Sequence, residues 1–273
     1  MATGARRLLL RLAMEPPLRL LIRAALLMGL PASCQTRALW DISTRPAYLM
    51  GVLEAAKQAI AQEIPAISVI EFGVGGGDGL ATLQSEAEAV ERHTGVAIEV
   101  FGFDRGGLPP LIGDYRDHPD VWQAGDYPMD ERSVRSRLTA RTKLIVGDVK
   151  DTLPRFFERF RPAPVGFVAF DMDLYSSTRE ALRIFTLADK QMLRHVPLYF
   201  DDIGHLFDHK YAGELLAIEE FNQASDGVKI DRWYEVHVGR PFPEQHFLER
   251  LYVAHDLAAI SGTDRSAVSD ARA

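Results

Sequence analysis

From Trp40 onward, short apolar runs alternate with stretches whose apolar residues recur every three to four positions. The runs at 68–73, 97–104, 142–148, 165–173 and 196–202 read as buried strands. The stretches R-P-A-Y-L-M-G-V-L-E-A-A-K-Q-A-I, G-L-A-T-L-Q-S-E-A-E-A-V-E-R and Y-A-G-E-L-L-A-I-E-E-F-N read as helices, as do residues 130–138, 151–160 and 177–193. Two last strands, 230–238 and 247–255, flank G-R-P-F-P-E-Q. Such alternation predicts an α/β chain with a Rossmann-like seven-stranded sheet. The sheet is expected to be mostly parallel, with an antiparallel final hairpin and helices on both faces. Ligands of such sheets bind beyond the carboxyl ends of the strands. All five early strands end there in an acid or a glycine turn.

Composition narrows the class. The chain has 273 residues, 47% hydrophobic and 25% charged, which suits a globular domain and excludes collagen, repeat arrays and general disorder. A lone cysteine, Cys34, excludes an intramolecular disulfide and a multi-cysteine metal site, and fits a cytoplasmic protein. The net charge of −7 argues against nucleic-acid binding, which needs clustered positive charge. That charge is unevenly spread. Residues 1–38 hold six arginines and one acid, Glu15, leaving the remainder about twelve charges negative. This segment reads as a basic amphipathic helical arm that caps the domain or packs on a second subunit, so a homo-oligomer is expected. Arg19 and Arg23 interrupt any run long enough to span a membrane. Glu15, Pro16, Pro17 and Arg23 break a signal-peptide pattern. Weak contact with a membrane surface is the lesser reading of the same stripes. One domain follows over 39–258, then a small, polar, frayed tail over 259–273.

The first strand runs into Glu71-Phe72-Gly73-Val74-Gly75-Gly76-Gly77-Asp78-Gly79. Glycines let backbone turn tightly and approach a ligand. The dinucleotide pattern G-x-G-x-x-G fails, because its sixth position is Asp78 or Leu80, and no Gly-Lys pair exists for a phosphate loop. Glu71 would repel a pyrophosphate and favour a cationic ligand. E-x-G-x-G-x-G is the usual signature of S-adenosylmethionine binding in class I methyltransferases. Asp104 closes the second strand, where a carboxylate can accept ribose hydroxyls. Asp148 closes the third, within reach of an adenine amine. Each acid alone reads equally well as a helix cap, and the glycines alone as a tight turn without a ligand.

F-G-F-D-R-G-G-L-P, G-D-V-K-D-T-L-P, F-D-M-D-L-Y-S-S-T-R-E-A-L, Y-F-D-D-I-G-H and A-I-E-E-F follow one another along the chain. In these motifs and their order, from about residue 40 to residue 222, the chain resembles the macrocin O-methyltransferase family. The resemblance implies a methyltransferase sheet using S-adenosylmethionine and a divalent metal, usually magnesium, to methylate sugar hydroxyls of natural products. Cofactor contacts would come from Glu71, Gly73, Gly75, Gly77, Asp104 and Asp148. Gly106 and Gly107 replace the family's aromatic–acid pair, and residues 1–38 and 108–129 have no counterpart in it.

Asp171 and Asp173 alternate along the end of strand four, and Asp201 and Asp202 end strand five. Like charges brought this close are costly unless a cation joins them. Oxygen ligands suit magnesium, manganese or calcium. By family position the ligands are Asp171, Asp201 and Asp202. Asp173 is a further ligand or a cap for the helix after it. The acceptor is a small molecule whose hydroxyl must lose a proton, to Asp171 or to His205 as base. His205 and His209 also have a zinc-like spacing, but no H-E-x-x-H accompanies them. The leading reading is a metal-dependent O-methyltransferase of a sugar or glycosylated natural product. The alternatives are a catechol or phenol O-methyltransferase, a nucleotide-binding oxidoreductase, and a degenerate methyltransferase fold kept as an interaction protein.

Overall fold

The computed structural model describes residues 12–188, 191–204 and 209–262. Its sheet has seven strands: β1 (Ala66–Phe72), β2 (Ala97–Asp104), β3 (Thr142–Val146), β4 (Val165–Phe170), β5 (His195–Phe200), β6 (Val228–Arg232) and β7 (Leu251–Asp256). They lie in the order β3-β2-β1-β4-β5-β7-β6. β1 to β5 are parallel, and β7 runs antiparallel to both β5 and β6. This is the mostly parallel sheet with a closing antiparallel hairpin that the alternation predicts.

The described helices are α1 (Leu18–Leu27), α2 (Cys34–Leu39), α3 (Pro46–Ala61), α4 (Asp78–Thr94), α5 (Glu131–Ser136), α6 (Val149–Thr152), α7 (Phe156–Phe160), α8 (Tyr175–Leu182), α9 (Ile184–Leu187), α10 (Gly213–Ala224) and α11 (Leu257–Ser261). Side chains along a strand alternate between faces. Phe167 meets Tyr48 of α3 on one face, while Phe101 and Phe103 meet Phe156 of α7. Phe103, Phe72, Phe170 and Phe200 stack as a row across β2, β1, β4 and β5, with centroids 4.6–5.5 Å apart. Phe170 and Phe167 have opposite parity on β4, so the row lies on the face away from α3.

That row positions the site. Phe72 is in register with both Phe103 and Phe170, and Phe170 with Phe200. The next residues, Asp104, Gly73, Asp171 and Asp201, therefore emerge side by side at the carboxyl edge. Backbone pairing holds one residue further: Gly73 N donates to Phe103 O, Asp171 N to Phe72 O and Asp201 N to Phe170 O, each at 2.9 Å.

Several elements differ from expectation. Strand four ends at Phe170, not at 173, and Asp173 takes φ +60°. The alternation argument for Asp171 and Asp173 therefore fails, because the chain leaves the sheet between them. The helix expected at 151–160 is split by a 3₁₀ turn at Leu153–Arg155, where Pro154 supplies no N–H donor. The helix expected at 177–193 starts earlier, at Tyr175, and is divided near Arg183; Met192 bridges to Val165. β6 ends at Arg232, and residues 233–250 form turns and a 3₁₀ helix, a longer connection than the short loop expected.

In the arm, α1 lies against the domain's own 241–244 segment. Leu26, Trp40 and Phe242 form a small apolar cluster apart from the main core. The Arg19 and Arg23 guanidinium groups sit over the Phe242 ring, and Arg19 Nη1 donates to Pro241 O at 2.8 Å. Leu20, Leu21, Leu27 and Met28 remain exposed. Among the described residues no helix is long and apolar enough to cross a membrane. Positions 1–11 of the arm and 263–273 of the tail lie outside the described residues.

Candidate functional site

A cavity of about 360 Å³ opens at the carboxyl edge of the sheet. Residues 73–79, Asp104, Asp148, Asp171, Asp173, Asp201 and Asp202 line it, with Leu108, Trp122 and Tyr127 from the loop after β2. The structure thus brings the glycine loop, two strand-end acids and the paired aspartates into one space.

The glycine loop is shaped for close approach. Gly73 takes φ +85°, and a Cβ there would overlap the Asp171 carbonyl oxygen. Gly77 takes the same φ and caps α4. A Cβ on Gly75 or Gly76 would meet nothing within 4 Å, so backbone there faces open space. Asp104 clamps the loop: its Oδ2 accepts from Val74 N at 2.8 Å and Gly75 N at 2.7 Å, and its Oδ1 from Gly106 N. Asp148 caps α6 by accepting from Lys150 N at 3.0 Å, and Arg105 lies 3.8 Å from it. It is both a cap and a cavity residue.

Glu71 lies elsewhere. It precedes Phe72, so it points to the α3 face of the sheet rather than into the cavity. There it is buried, and its Oε1 accepts from Tyr48 Oη at 2.6 Å. Its Oε2 finds no partner among the described residues. Burial pushes its carboxyl up to about 8, against the Tyr48 hydrogen bond and the Arg45 charge.

Asp171, Asp201 and Asp202 each offer a carboxylate oxygen, all within 4.8 Å of one another. Burial, then the charges of Asp201 and Asp202, raise the Asp171 carboxyl to about 7, with Arg45 opposing. Arg45 Nη1 lies 3.2 Å from Asp171 Oδ2. Tyr199 Oη donates to Asp201 Oδ1 at 2.6 Å, and Asp173 N to Asp202 Oδ2 at 2.8 Å. Asp202 N donates to Glu214 Oε2 at 3.1 Å. Glu214 is buried, its Oε1 has no partner among the described residues, and burial holds its carboxyl well above the usual range.

Asp173 is not the cap of α8: the N-cap position is Leu174, without a side-chain bond. Asp117 serves that end of the helix instead. Fully buried, it accepts from Ser176 N at 2.8 Å and Ser176 Oγ at 2.9 Å, and from Ile112 N at 2.9 Å. It pins the loop after β2 over the cavity. His205, the rival base, lies outside the described residues. His209 stacks edge-on with His118, 5.2 Å between centroids. Arg45, Tyr48, Asp117 and Glu214 carry no motif. Packing alone brings them to the site.

No family model and no curated protein matches the chain. Solved structures do resemble it. The calicheamicin methyltransferase CalS11 is 19% identical over 76% of this chain and 85% of its own, with a TM-score of 0.48. An O-methyltransferase from Bacillus cereus in complex with SAH is 16% identical over 87% and 88%, TM-score 0.42. TomG from Streptomyces achromogenes, an O-methyltransferase involved in tomaymycin synthesis and in complex with SAM, is 14% identical over 83% and 91%, TM-score 0.43. At these identities and scores the likenesses carry no weight in the functional reading, which rests on the site.

Proposed function

We propose that this chain is a cytoplasmic, S-adenosylmethionine- and divalent-metal-dependent O-methyltransferase acting on a hydroxyl of a sugar or glycosylated natural product. The observation that carries this reading is the in-register row at the sheet edge. It aligns Asp104 and the glycine loop with Asp171 and Asp201, so one cavity holds a backbone cradle and a cluster of hard oxygen donors.

The residues fit both groups. Open space over Gly75 and Gly76 suits a ligand that lies on main chain. Acidic walls suit a cationic ligand, and the absence of the dinucleotide pattern disfavours a nicotinamide. Three carboxylates within 4.8 Å, with the unpartnered Glu214 oxygen buried behind Asp202, form a donor set for magnesium or manganese. When bound, the cofactor supplies an electrophilic methyl group on a sulfonium. A divalent ion supplies positive charge that makes a nearby hydroxyl more acidic.

The chain's own residues do the remainder. Asp104 fixes the glycine loop, and the lone pair left on Oδ1 can accept from a ribose hydroxyl. Asp148, on the same cavity wall, would accept from a purine amine. Asp171 would accept the proton that the acceptor hydroxyl gives up on methylation. Trp122 and Leu108 give the cavity an apolar wall. The exposed leucines of α1 support self-association through the arm.

Calorimetry tests the reading. S-adenosylhomocysteine should bind at micromolar Kd, about −8 kcal/mol. Tight NADH binding without a response to S-adenosylhomocysteine would overturn it and favour the oxidoreductase alternative.

A further inference from the structure

Arg45 sits where neither the glycine loop nor the aspartate motifs point. It precedes Pro46, the first residue of α3, and reaches back over the sheet edge. Its Nη1 is 3.2 Å from Asp171 Oδ2 and 3.3 Å from Tyr48 Oη, and its guanidinium lies over the Tyr48 ring at 5.2 Å. Tyr48 in turn donates to Glu71. A Cβ on Gly79 would meet both Glu71 Oε1 and Arg45 Cζ, so the first turn of α4 closes over this pair.

A second cavity, of about 260 Å³, lies on the other side of Arg45. Thr44, Arg45, Tyr199, Asp201 and Phe247 line it. Arg45 and Asp201 line both cavities. The guanidinium therefore has space to withdraw from Asp171 without unpacking the core.

We propose that Arg45 is the resident counter-cation of the carboxylate cluster: it neutralises Asp171 when no divalent ion is bound, yields that position when one arrives, and so sets the affinity for the metal. The inference rests on the reading of Asp171, Asp201 and Asp202 as metal ligands. The physical basis is Coulombic. Clustered carboxylates repel unless cations lie among them. Arg45 relieves that repulsion at Asp171, and Arg250, 3.5 Å from Asp201 Oδ1, relieves it at Asp201. The same positive charges oppose an incoming divalent ion. Arg45 is thus a positioning residue, trading maximal metal affinity for a cluster that stays folded when empty.

The test needs no turnover. Manganese binding is followed by loss of the free-ion electron paramagnetic resonance signal in the full-length protein, its Asp201→Asn variant and its Arg45→Gln variant. Removing one charge beside a divalent site should tighten manganese binding about tenfold in Arg45→Gln. Magnesium should also raise the melting temperature of that variant more than that of the parent. Arg45→Lys, which restores the charge, should return manganese affinity toward the parent's. Arg45→Met keeps the apolar stem on Tyr48 and gives the same reading should Arg45→Gln fail to fold. Binding that is lost in Asp201→Asn but unchanged or weaker in both neutral Arg45 variants overturns this inference alone. Manganese bound by none of the proteins, or bound equally in Asp201→Asn, overturns the metal reading and the inference with it.

Discussion

Gly73 packs its bare Cα against the main-chain carbonyl of Asp171. This contact joins the glycine loop to the carboxylate cluster, because β1 and β4 are neighbours and both chains leave the sheet at the same level. Gly73→Ala should therefore do two kinds of harm: it forces a side chain into φ +85° and into an occupied position. A loss of about 3 kcal/mol or more is expected from urea unfolding. A variant as stable as the parent would show that the strand ends have room to part.

Asp104 holds the glycine loop through two backbone N–H groups, Val74 and Gly75, and its own following turn through Gly106 N. Asp104→Ala removes the acceptor for all of them and any ribose contact. It should weaken S-adenosylhomocysteine binding by about 1–3 kcal/mol, the scale of a lost charged hydrogen bond. Calorimetry gives the value. Unchanged affinity would mean that the loop keeps its shape without the clamp and that the cofactor does not use this acid.

Glu71 makes stability depend on pH. Its carboxyl titrates at about 8 when folded and at the ordinary 4.5 when unfolded. Unfolding between those values releases a proton, so this group's contribution is full below about 4.5 and is lost as pH rises through 8. Glu71→Gln mimics the protonated form and should gain on the parent by on the order of 1 kcal/mol per pH unit across that window. Urea unfolding at pH 5 and pH 8 decides the matter. A difference that does not change with pH would show Glu71 ionised in the fold, held by Arg45.

The arm makes a separate prediction. Leu21 and Leu27 of α1 are each 63% exposed, while Arg19 and Arg23 turn inward onto Phe242. A helix that hides its charges and shows its leucines needs a partner surface. The triple change Leu20→Ser, Leu21→Ser, Leu27→Ser should lower the mass seen by light scattering and leave S-adenosylhomocysteine affinity intact. An unchanged mass would remove α1 from any subunit contact.

Much of the fold could be read from the chain because each of the first five strands is a dense apolar run with an acid or glycine at its end. The site was legible to the same extent. Asp104, Asp171 and Asp201 each follow a phenylalanine, and register does the rest. What escaped depends on tertiary packing. Arg45 reads as the residue before a proline, and Tyr48 as one more apolar position on a buried helix. Asp117 lies in a loop with no periodicity, yet it is fully buried because it collects donors from two segments. Asp173 departs from strand alternation because β4 ends at Phe170, and composition does not mark where a strand leaves its sheet. Glu71 looked like a cavity residue from its motif. The period of two sends it to the opposite face once Phe72 is known to lie in the phenylalanine row.

A crystal structure with manganese and S-adenosylhomocysteine, using anomalous scattering to locate the metal, tests most directly whether one cavity takes a methyl donor beside a divalent ion. One anomalous peak is expected within bonding distance of Asp171, Asp201 and Asp202, with ligand density lying on residues 73–77 and its ribose at Asp104. Ligand density in that place with no metal at the aspartates would leave a cofactor-binding protein without metal chemistry. Density away from the glycine loop would contradict the account altogether.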